Sequence, residues 1–349
     1  MRTVDAMPCW LRRVLCALRA VVRRLVRWLS RRAVFGAVVF GVVVAGVSVT
    51  ACRHVGRHDG VVRAIEDWAY EDFRGRRIAT EHFVLYSTLT DTAFEAALPG
   101  FLEAAYREYE RVAPPPDGVG PPLTVYVFAT RPAWVRFTRR HFPASYGVYS
   151  RIRVGGFTDG GTAVLFYAGR SQVLSTLAHE GWHAFAASRF DASLPAWLNE
   201  GLACYFEACD FVGDVPRFTP ARNTFRINGL RETLQADRLL PLDELLSTDA
   251  GRVIAERHDK ATERYYPQAW ALVTFLRHGG GGRFASSFDR MMRDIAAGTF
   301  HTTVQAARVT LPNPGDVDDG TAVLYAYFDA GPEDIADAYY AHLVRICGF

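Results

Sequence analysis

Two short segments constrain this chain more than any other feature: His-Glu-Gly-Trp-His at 179–183 and Trp-Leu-Asn-Glu-Gly-Leu-Ala at 197–203. Side chains four residues apart lie on one face of a helix, so His179 and His183 can bind one metal ion together. Glu200, in the second segment, can complete a His-His-Glu ligand set that leaves a fourth position for water. That coordination is typical of a catalytic zinc ion, and we therefore predict one zinc ion per chain at these three residues.

Glu180 follows the first predicted ligand directly, where a general base for the water belongs. The alternative is that two histidines happen to lie four apart in an ordinary helix. Apolar residues surround the segment on nearly every side and predict a buried helix. Unpaired histidines and a glutamate would be costly there, whereas a metal ion satisfies all three groups, so the zinc interpretation is favoured.

At these residues the chain resembles the gluzincin metallopeptidases of the peptidase-MA clan. The run at 197–203 is similar to the Trp-Leu-Asn-Glu-Gly-Phe-Ala run of aminopeptidase N-type enzymes, whose glutamate is the third zinc ligand. The resemblance covers residues 78–280 and is strongest to a group of largely uncharacterised bacterial domains that carry both motifs. It implies a zinc metallopeptidase with a thermolysin-like catalytic domain.

Two departures from the aminopeptidase pattern bear on specificity. Sixteen residues separate His183 from Glu200, two fewer than in those enzymes, so the connection between the two motifs is shorter. The chain also lacks the Gly-x-Met-Glu-Asn exopeptidase motif ahead of the first segment. We therefore expect an endopeptidase-like activity on a peptide or protein substrate.

The resemblance extends to residues around the predicted ligands. Tyr266, in a Tyr-Pro-Gln-Ala-Trp run, matches the position of a tyrosine that stabilises the oxyanion in related peptidases. Tyr265 is the second choice for this role, and the alternative is that both are core aromatic residues. Glu207 lies seven residues after Glu200, on the same helix face, and is expected to orient a ligand histidine unless it is a surface carboxylate. Asn199, which flanks Glu200, is a candidate supporting residue and is expected to fix the turn and helix geometry rather than to contact substrate.

Residues 1–52 are predicted to lie outside the catalytic domain. Nine arginines fall within residues 1–32, and residues 33–51 are uncharged and apolar or small, long enough to cross a bilayer as a helix. The stretch ends Val-Thr-Ala-Cys, similar to a bacterial lipoprotein signal, so Cys52 is a predicted lipidation site. The alternative is an uncleaved signal anchor. Both place the remainder on the periplasmic, extracytoplasmic side of the cytoplasmic membrane, tethered to it.

Charge and cysteine content exclude some classes of protein. Without the nine arginines and one aspartate of the leader, the chain's 40 basic and 37 acidic residues become 31 and 36, a net charge of −5. This offers no basic surface for nucleic acid. The body contains Cys204, Cys209 and Cys347, which do not suggest a disulfide framework. We expect Cys204 to fill space beside Glu200 rather than to bind metal.

The order of predicted elements indicates an α+β fold. We predict a tether at 53–77, a strand-rich part at 78–170 and a helical part at 171–349. The predicted strands are 81–88, 123–129, 147–156 and 162–168. The main predicted helices are 91–112, 131–141, 171–188, 196–208, 222–236, 241–247, 266–278, 282–297 and 332–346, with a loop at 309–320. By analogy with gluzincins, one of the last two strands would pair with an extended peptide.

Four functions are compatible with these features. The leading hypothesis is a membrane-tethered zinc peptidase that acts outside the cytoplasm. A zinc-binding but non-proteolytic envelope lipoprotein is the second, although a pure binding module has no use for Glu180. A zinc amidase that acts on a non-protein substrate is a variant of the first. The last is a structural envelope protein in which the motif is accidental.

Overall fold

The computed structural model describes residues 60–115, 120–190, 193–248 and 261–349. Its first half is built on a mixed sheet with the strand order β1-β2-β3-β4-β6-β5. The strands β3, β4 and β6 are parallel, and the remaining pairs are antiparallel, so β5 forms one edge. The strands are β1 (Ala64–Tyr70), β2 (Phe73–Ala79), β3 (Phe83–Ser87), β4 (Leu123–Phe128), β5 (Gly156–Asp159) and β6 (Thr162–Phe166).

Most of the described helices follow the sheet in the chain. A small hairpin of β7 (Cys209–Val212) and β8 (Val215–Phe218) lies between two of them. In the first half they are α1 (Thr92–Glu95), α2 (Leu98–Val112), α3 (Arg131–His141) and α4 (Tyr146–Tyr149). In the second half they are α5 (Arg170–Arg189), α6 (Ala196–Phe206), α7 (Thr224–Gln235), α8 (Leu242–Ser247), α9 (Ala261–His278), α10 (Ala285–Ala296), α11 (Phe300–Arg308), α12 (Asp319–Phe328) and α13 (Pro332–Ile346).

The two faces of the sheet are covered differently. On the inner face, Leu85, Val125 and Leu165 belong to one large core that continues through α2 and α5 into the helical half. On the outer face, a smaller cluster contains Phe128 and Val164 beneath Trp134 of α3. Because α5 packs on the inner face beside β5, the centre of that helix lies next to the exposed edge of the sheet.

The predicted tether at 53–77 is wrong for its second half, because residues 64–77 belong to the sheet. β1 and β2 form an antiparallel hairpin in which Trp68 pairs with Gly75 and Tyr70 with Phe73. The many charged residues favoured a tether, but they alternate with aromatic residues that pack on the outer face. The alternation, rather than the charge, was the informative pattern.

The predicted strand at 147–156 is also wrong. Residues Tyr146–Tyr149 form a helical turn, and β5 begins only at Gly156. The chain turns at Gly155, whose φ of 108° is rarely adopted by residues with a side chain. The ring of Tyr149 stacks on Phe157 at 3.9 Å between centroids, so a tertiary contact determines the conformation here.

Other predicted elements occur close to their expected positions, and several were missed. The helix expected at 171–188 spans Arg170–Arg189, and the one expected at 196–208 spans Ala196–Phe206. The hairpin β7–β8 and the helices α11 and α12 were not predicted.

No helix among the described residues is long and apolar enough to cross a membrane. The leader, the predicted span at 33–51 and Cys52 lie outside the described residues.

Candidate metal centre

Helix α5 carries both histidines toward one point. The Nε2 atoms of His179 and His183 lie 3.3 Å apart, as expected for two side chains one helical turn apart. The glycine between them has a packing role, because a Cβ atom on Gly181 would lie 2.6 Å from the hydroxyl oxygen of Tyr109. That hydroxyl donates to the carbonyl oxygen of Ala178 at 2.7 Å, which fixes α2 against the histidine-bearing turn.

Helix α6 brings the carboxylate to the same point. The Oε2 atom of Glu200 lies 3.3 Å from Nε2 of His179 and 3.4 Å from Nε2 of His183. The next residue allows close helix packing, since a Cβ atom on Gly201 would lie 2.6 Å from the carbonyl oxygen of Ala269 in α9. The Asn-Glu-Gly sequence thus combines a predicted ligand with the contact that positions it.

The other ring nitrogen of each histidine faces a side-chain oxygen. Nδ1 of His179 lies 2.8 Å from Oε1 of Glu207, and Nδ1 of His183 lies 3.3 Å from Oδ1 of Asn199. The indole of Trp182 donates to the same Asn199 oxygen at 3.1 Å, which fixes the orientation of that amide. Because both partners are acceptors, each neutral histidine carries its proton on Nδ1 and presents the lone pair of Nε2 to the centre.

When both histidines are neutral, three lone pairs therefore converge with no hydrogen-bond donor among them. Oε2 of Glu200 is buried and has no hydrogen-bond partner among the described residues. Two nitrogen or oxygen ligands about 2.0–2.1 Å from a tetrahedral zinc ion are about 3.3–3.4 Å apart. The three separations of 3.3, 3.3 and 3.4 Å fit that geometry. A proton can bridge only two of these atoms, whereas a metal ion can bind all three. The three side chains therefore fit a metal ion as ligands.

The support behind His179 includes two residues that the sequence analysis missed. Arg226 forms a two-bond ion pair with Glu207, with its Nε atom 2.7 Å from Oε2 and an NH2 group on Oε1. Asn223 donates to Oε2 of Glu207 at 2.9 Å. Burial alone would raise the pKa of Glu207, but Arg226 and His179 lower it to about 2. The carboxylate is thus held charged as an acceptor for His179.

A second group, His179, Cys204 and Glu207, also has ligand atoms close enough together to hold a metal ion. It is the weaker candidate. Both oxygens of Glu207 already accept hydrogen bonds from Arg226. Burial raises the pKa of the Cys204 thiol to about 11, so it stays protonated at neutral pH. Its sulphur lies 4.0 Å from Nδ1 of His179, on the side of the ring that faces away from Glu200. The described cysteines Cys204, Cys209 and Cys347 are all free thiols.

Glu180 follows His179 directly on α5 and does not belong to the group of three converging side chains. Its side chain is buried, and its Oε2 atom accepts a hydrogen bond from the hydroxyl of Thr158 at 2.8 Å. Thr158 belongs to the edge strand β5, and the sequence analysis did not identify it. Glu180 is therefore a buried carboxylate, adjacent in the chain to a predicted ligand, that a partner on another element holds in place.

The two adjacent tyrosines differ in position. The ring of Tyr266 is half-buried and lies 6.1 Å from the ring of His179, with the Arg226 guanidinium 5.4 Å from the centre of its ring. Burial and the nearby Glu200 raise the pKa of Tyr266 well above its usual value, so its hydroxyl remains a donor. Tyr265 is fully buried and donates to the carbonyl oxygen of Thr248 at 3.5 Å. Of the two, Tyr266 has the position next to the centre.

Comparisons with known proteins give one match. A family model described as a protein of unknown function (DUF1570) matches residues 173–295 of the 349. The matched part contains both histidines, Glu180, Glu200 and Tyr266. A search of curated proteins found no match. A search of solved structures also found none.

Proposed function

We propose that this protein is a zinc-dependent peptidase that hydrolyses peptide bonds outside the cytoplasm, tethered to the membrane by its N-terminal segment. The observation that carries the proposal is the convergence of His179, His183 and Glu200, with separations that fit a tetrahedral ion, around a point that lacks a hydrogen-bond donor when both histidines are neutral. Nitrogen and carboxylate ligands in that number and geometry suit zinc and leave a fourth position for water.

His179, His183 and Glu200 would hold the zinc ion, which would supply Lewis-acid chemistry to acidify a water molecule and polarise the scissile carbonyl group. Glu180 accepts the proton of the attacking water and delivers it to the leaving amine. The Tyr266 hydroxyl, kept protonated by burial, donates a hydrogen bond to the oxygen on which negative charge develops. Glu207 and Asn199 hold the two imidazole rings in the orientation that directs both Nε2 atoms at the centre.

The edge strand β5 is a suitable place for a peptide substrate to bind. β5 pairs with β6 on one side, and α5 packs against β5, so its free edge lies close to Glu180. An extended peptide can add to such an edge through main-chain hydrogen bonds, with its own side chains free to vary. We propose that β5 binds the substrate in this way, in keeping with an endopeptidase.

The two alternative functions use the same ligands and differ in whether they need Glu180. A zinc-binding lipoprotein without activity would need no buried carboxylate beside the centre, held by a hydroxyl group from another element. A zinc amidase would use the same chemistry on a non-protein substrate, because the site determines the reaction more than the substrate.

The Glu180→Gln variant tests the catalytic part of the proposal. The full chain, purified in detergent and loaded with zinc, is assayed against a fluorogenic peptide library beside this variant. We expect the variant to keep the zinc and the folded structure and to lose hydrolysis by about 10²-fold or more. Equal cleavage by the variant would refute Glu180 as the base. Hydrolysis of N-acyl amides but not of peptides would favour the amidase.

The membrane tether is tested separately. We expect the full chain to sediment with bacterial membranes and to become soluble when residues 33–51 are deleted. A Cys52→Ser variant distinguishes the two forms of tether, since only a lipoprotein loses a lipid-modified N-terminus, as measured by mass spectrometry. A soluble full chain would rule out both forms.

A further inference from the structure

The hydroxyl group of Thr158 is placed between the edge strand and Glu180. Its Oγ1 atom lies 2.8 Å from Oε2 of Glu180 and 3.0 Å from the carbonyl oxygen of the same residue. A hydroxyl has one proton to donate, and a charged carboxylate is the stronger acceptor at the shorter distance. The bond to Oε2 therefore dominates and fixes the position of that oxygen of Glu180.

Strand β5 is also packed on the face opposite Glu180, and this packing fixes the position of Thr158. The ring of Tyr149 stacks on Phe157 at 3.9 Å with an angle of 9° between planes, and its hydroxyl lies 3.0 Å from Oδ2 of Asp159. Gly156 lies so close to β6 that a Cβ atom there would be 2.8 Å from that of Leu165. Phe157 belongs to the outer cluster, whereas Ala163, the partner of Thr158, belongs to the inner core. Thr158 thus points inward from a strand fixed on its outer face.

The Glu180 side chain depends on this support. A glutamate has three side-chain torsions and loses considerable rotamer freedom when it is fixed in one position. With one lone pair of Oε2 bound to Thr158, the other oxygen, Oε1, keeps both of its lone pairs for a proton from water, because no described residue donates a hydrogen bond to it. Misplacement of a reacting group by about 1 Å is enough to cost on the order of 10²-fold in rate.

We propose that Thr158 is a positioning residue: its hydroxyl holds the Glu180 carboxylate in the orientation in which Oε1 faces the attacking water. The inference rests on the proposed peptidase function. It also links the substrate-binding edge to the base, because the strand proposed to pair with the peptide is the one that carries the supporting hydroxyl.

Three variants of the full chain, purified in detergent and loaded with zinc, test the proposal. Thr158→Val keeps the shape of the side chain but removes the hydroxyl, and Thr158→Ser keeps the hydroxyl. Thr124→Val makes the same change on β4, where Thr124 pairs with Thr162 and is half-buried, and serves as the control. Zinc content and thermal unfolding are expected to match the parent in all three.

On the fluorogenic peptide library, Thr158→Val should lower kcat by about 10- to 100-fold with KM changed by less than about threefold. Thr158→Ser should restore kcat to within about threefold of the parent, and Thr124→Val should not change it. A loss shared equally by Thr158→Ser or by Thr124→Val would indicate a structural effect and overturn the proposal, as would a kcat for Thr158→Val equal to that of the parent.

Crystal structures of the zinc-loaded parent and of Thr158→Val supply a readout that does not depend on activity. The Glu180 carboxylate should keep its position in the parent and adopt another rotamer in the variant. An unchanged carboxylate would overturn the proposal, whatever the rates. If the parent shows no hydrolysis that depends on Glu180, the peptidase function fails, and the two crystal structures still decide whether Thr158 positions this side chain.

Discussion

At the scale of single residues, the geometry of this site depends on hydrogen bonds that leave each histidine one free lone pair. Glu207 contributes most to this geometry. Its carboxylate accepts a hydrogen bond from His179, while Arg226 and Asn223 donate hydrogen bonds to the same carboxylate. Metal-ligating histidines commonly depend on such partners for their orientation and basicity. The arrangement implies that a residue that does not touch the ion controls how strongly it is bound.

The Glu207→Gln variant is expected to bind zinc about 10- to 100-fold more weakly than the parent. The amide keeps the size of the side chain but removes the negative charge that the His179 imidazole faces. Competition with a fluorescent zinc chelator measures the dissociation constant. The control is Glu232→Gln, an exposed residue on α7, which should bind zinc as the parent does. Equal affinity in the two variants would contradict the role of Glu207.

Zinc affinity should also depend on pH through His179. Burial alone lowers the pKa of this imidazole, but hydrogen bonds to Cys204, Glu200 and Glu207 raise it well above its usual value in the metal-free protein. A proton on Nε2 competes with the ion, so zinc binding must displace it. We expect affinity to rise steadily from pH 6 to pH 8, as measured by calorimetry in buffers of different ionisation enthalpy. Constant affinity without proton release would contradict a protonated metal-free site.

At the scale of elements, the site depends on close approach between helices that only glycine permits. Gly181 lets the Tyr109 hydroxyl reach α5, and Gly201 lets α6 lie against α9. A Cβ atom on Gly201 would also lie 2.6 Å from Cγ2 of Val273. Since Glu200 precedes this contact directly, any separation of α6 from α9 moves the third ligand.

The Gly201→Ala variant is expected to lower the free energy of unfolding by about 1–3 kcal/mol and to weaken zinc binding. Added volume in a close-packed contact forces the helices apart. Urea denaturation of the metal-free protein measures the first effect, and zinc competition measures the second. Gly147→Ala is the control, because a Cβ atom there would meet nothing within 4 Å. A Gly201→Ala protein as stable as the control would show that the helices can adjust.

The local motifs predicted the convergence of His179, His183 and Glu200 better than they predicted the residues around them. His179, His183 and Glu200 could be predicted because a helix of fixed period brings residues four apart together, and the resemblance supplied the glutamate. The contact of Glu207 with His179 agrees with the expectation from its spacing along the helix. Arg226 and Thr158 could not be found in this way, because they reach the site from α7 and β5 through the tertiary fold.

Helices and strands show the same difference between what a local pattern predicts and what tertiary contacts determine. Long apolar helices such as α5 and α6 were predicted to within a few residues, since their hydrophobic pattern is strong. The hairpin of β1 and β2 was missed because its charged residues obscured the alternation of Trp68 and Tyr70. The short helix α4 is determined by a stacking contact with Phe157 that no local pattern signals.

At the scale of the whole molecule, the site lies where the sheet-bearing half meets the helical half. Helix α5 packs against the sheet and α2 on one side and α6 on the other, while α6 packs against α9. The three proposed ligands, the base and its support therefore come from α5, α6 and β5, and Tyr266 comes from α9. An ion bound at this junction would connect elements from both halves and stabilise the folded state by mass action.

The metal content of the full chain, determined by elemental analysis beside a Glu200→Ala variant, is the decisive measurement for the proposed metal centre. We expect about one zinc ion per chain in the parent and loss of the ion in the folded variant, because the variant keeps only two of the proposed ligands. A folded parent that binds no zinc even when zinc is supplied would contradict the metal centre and, with it, the proposed peptidase.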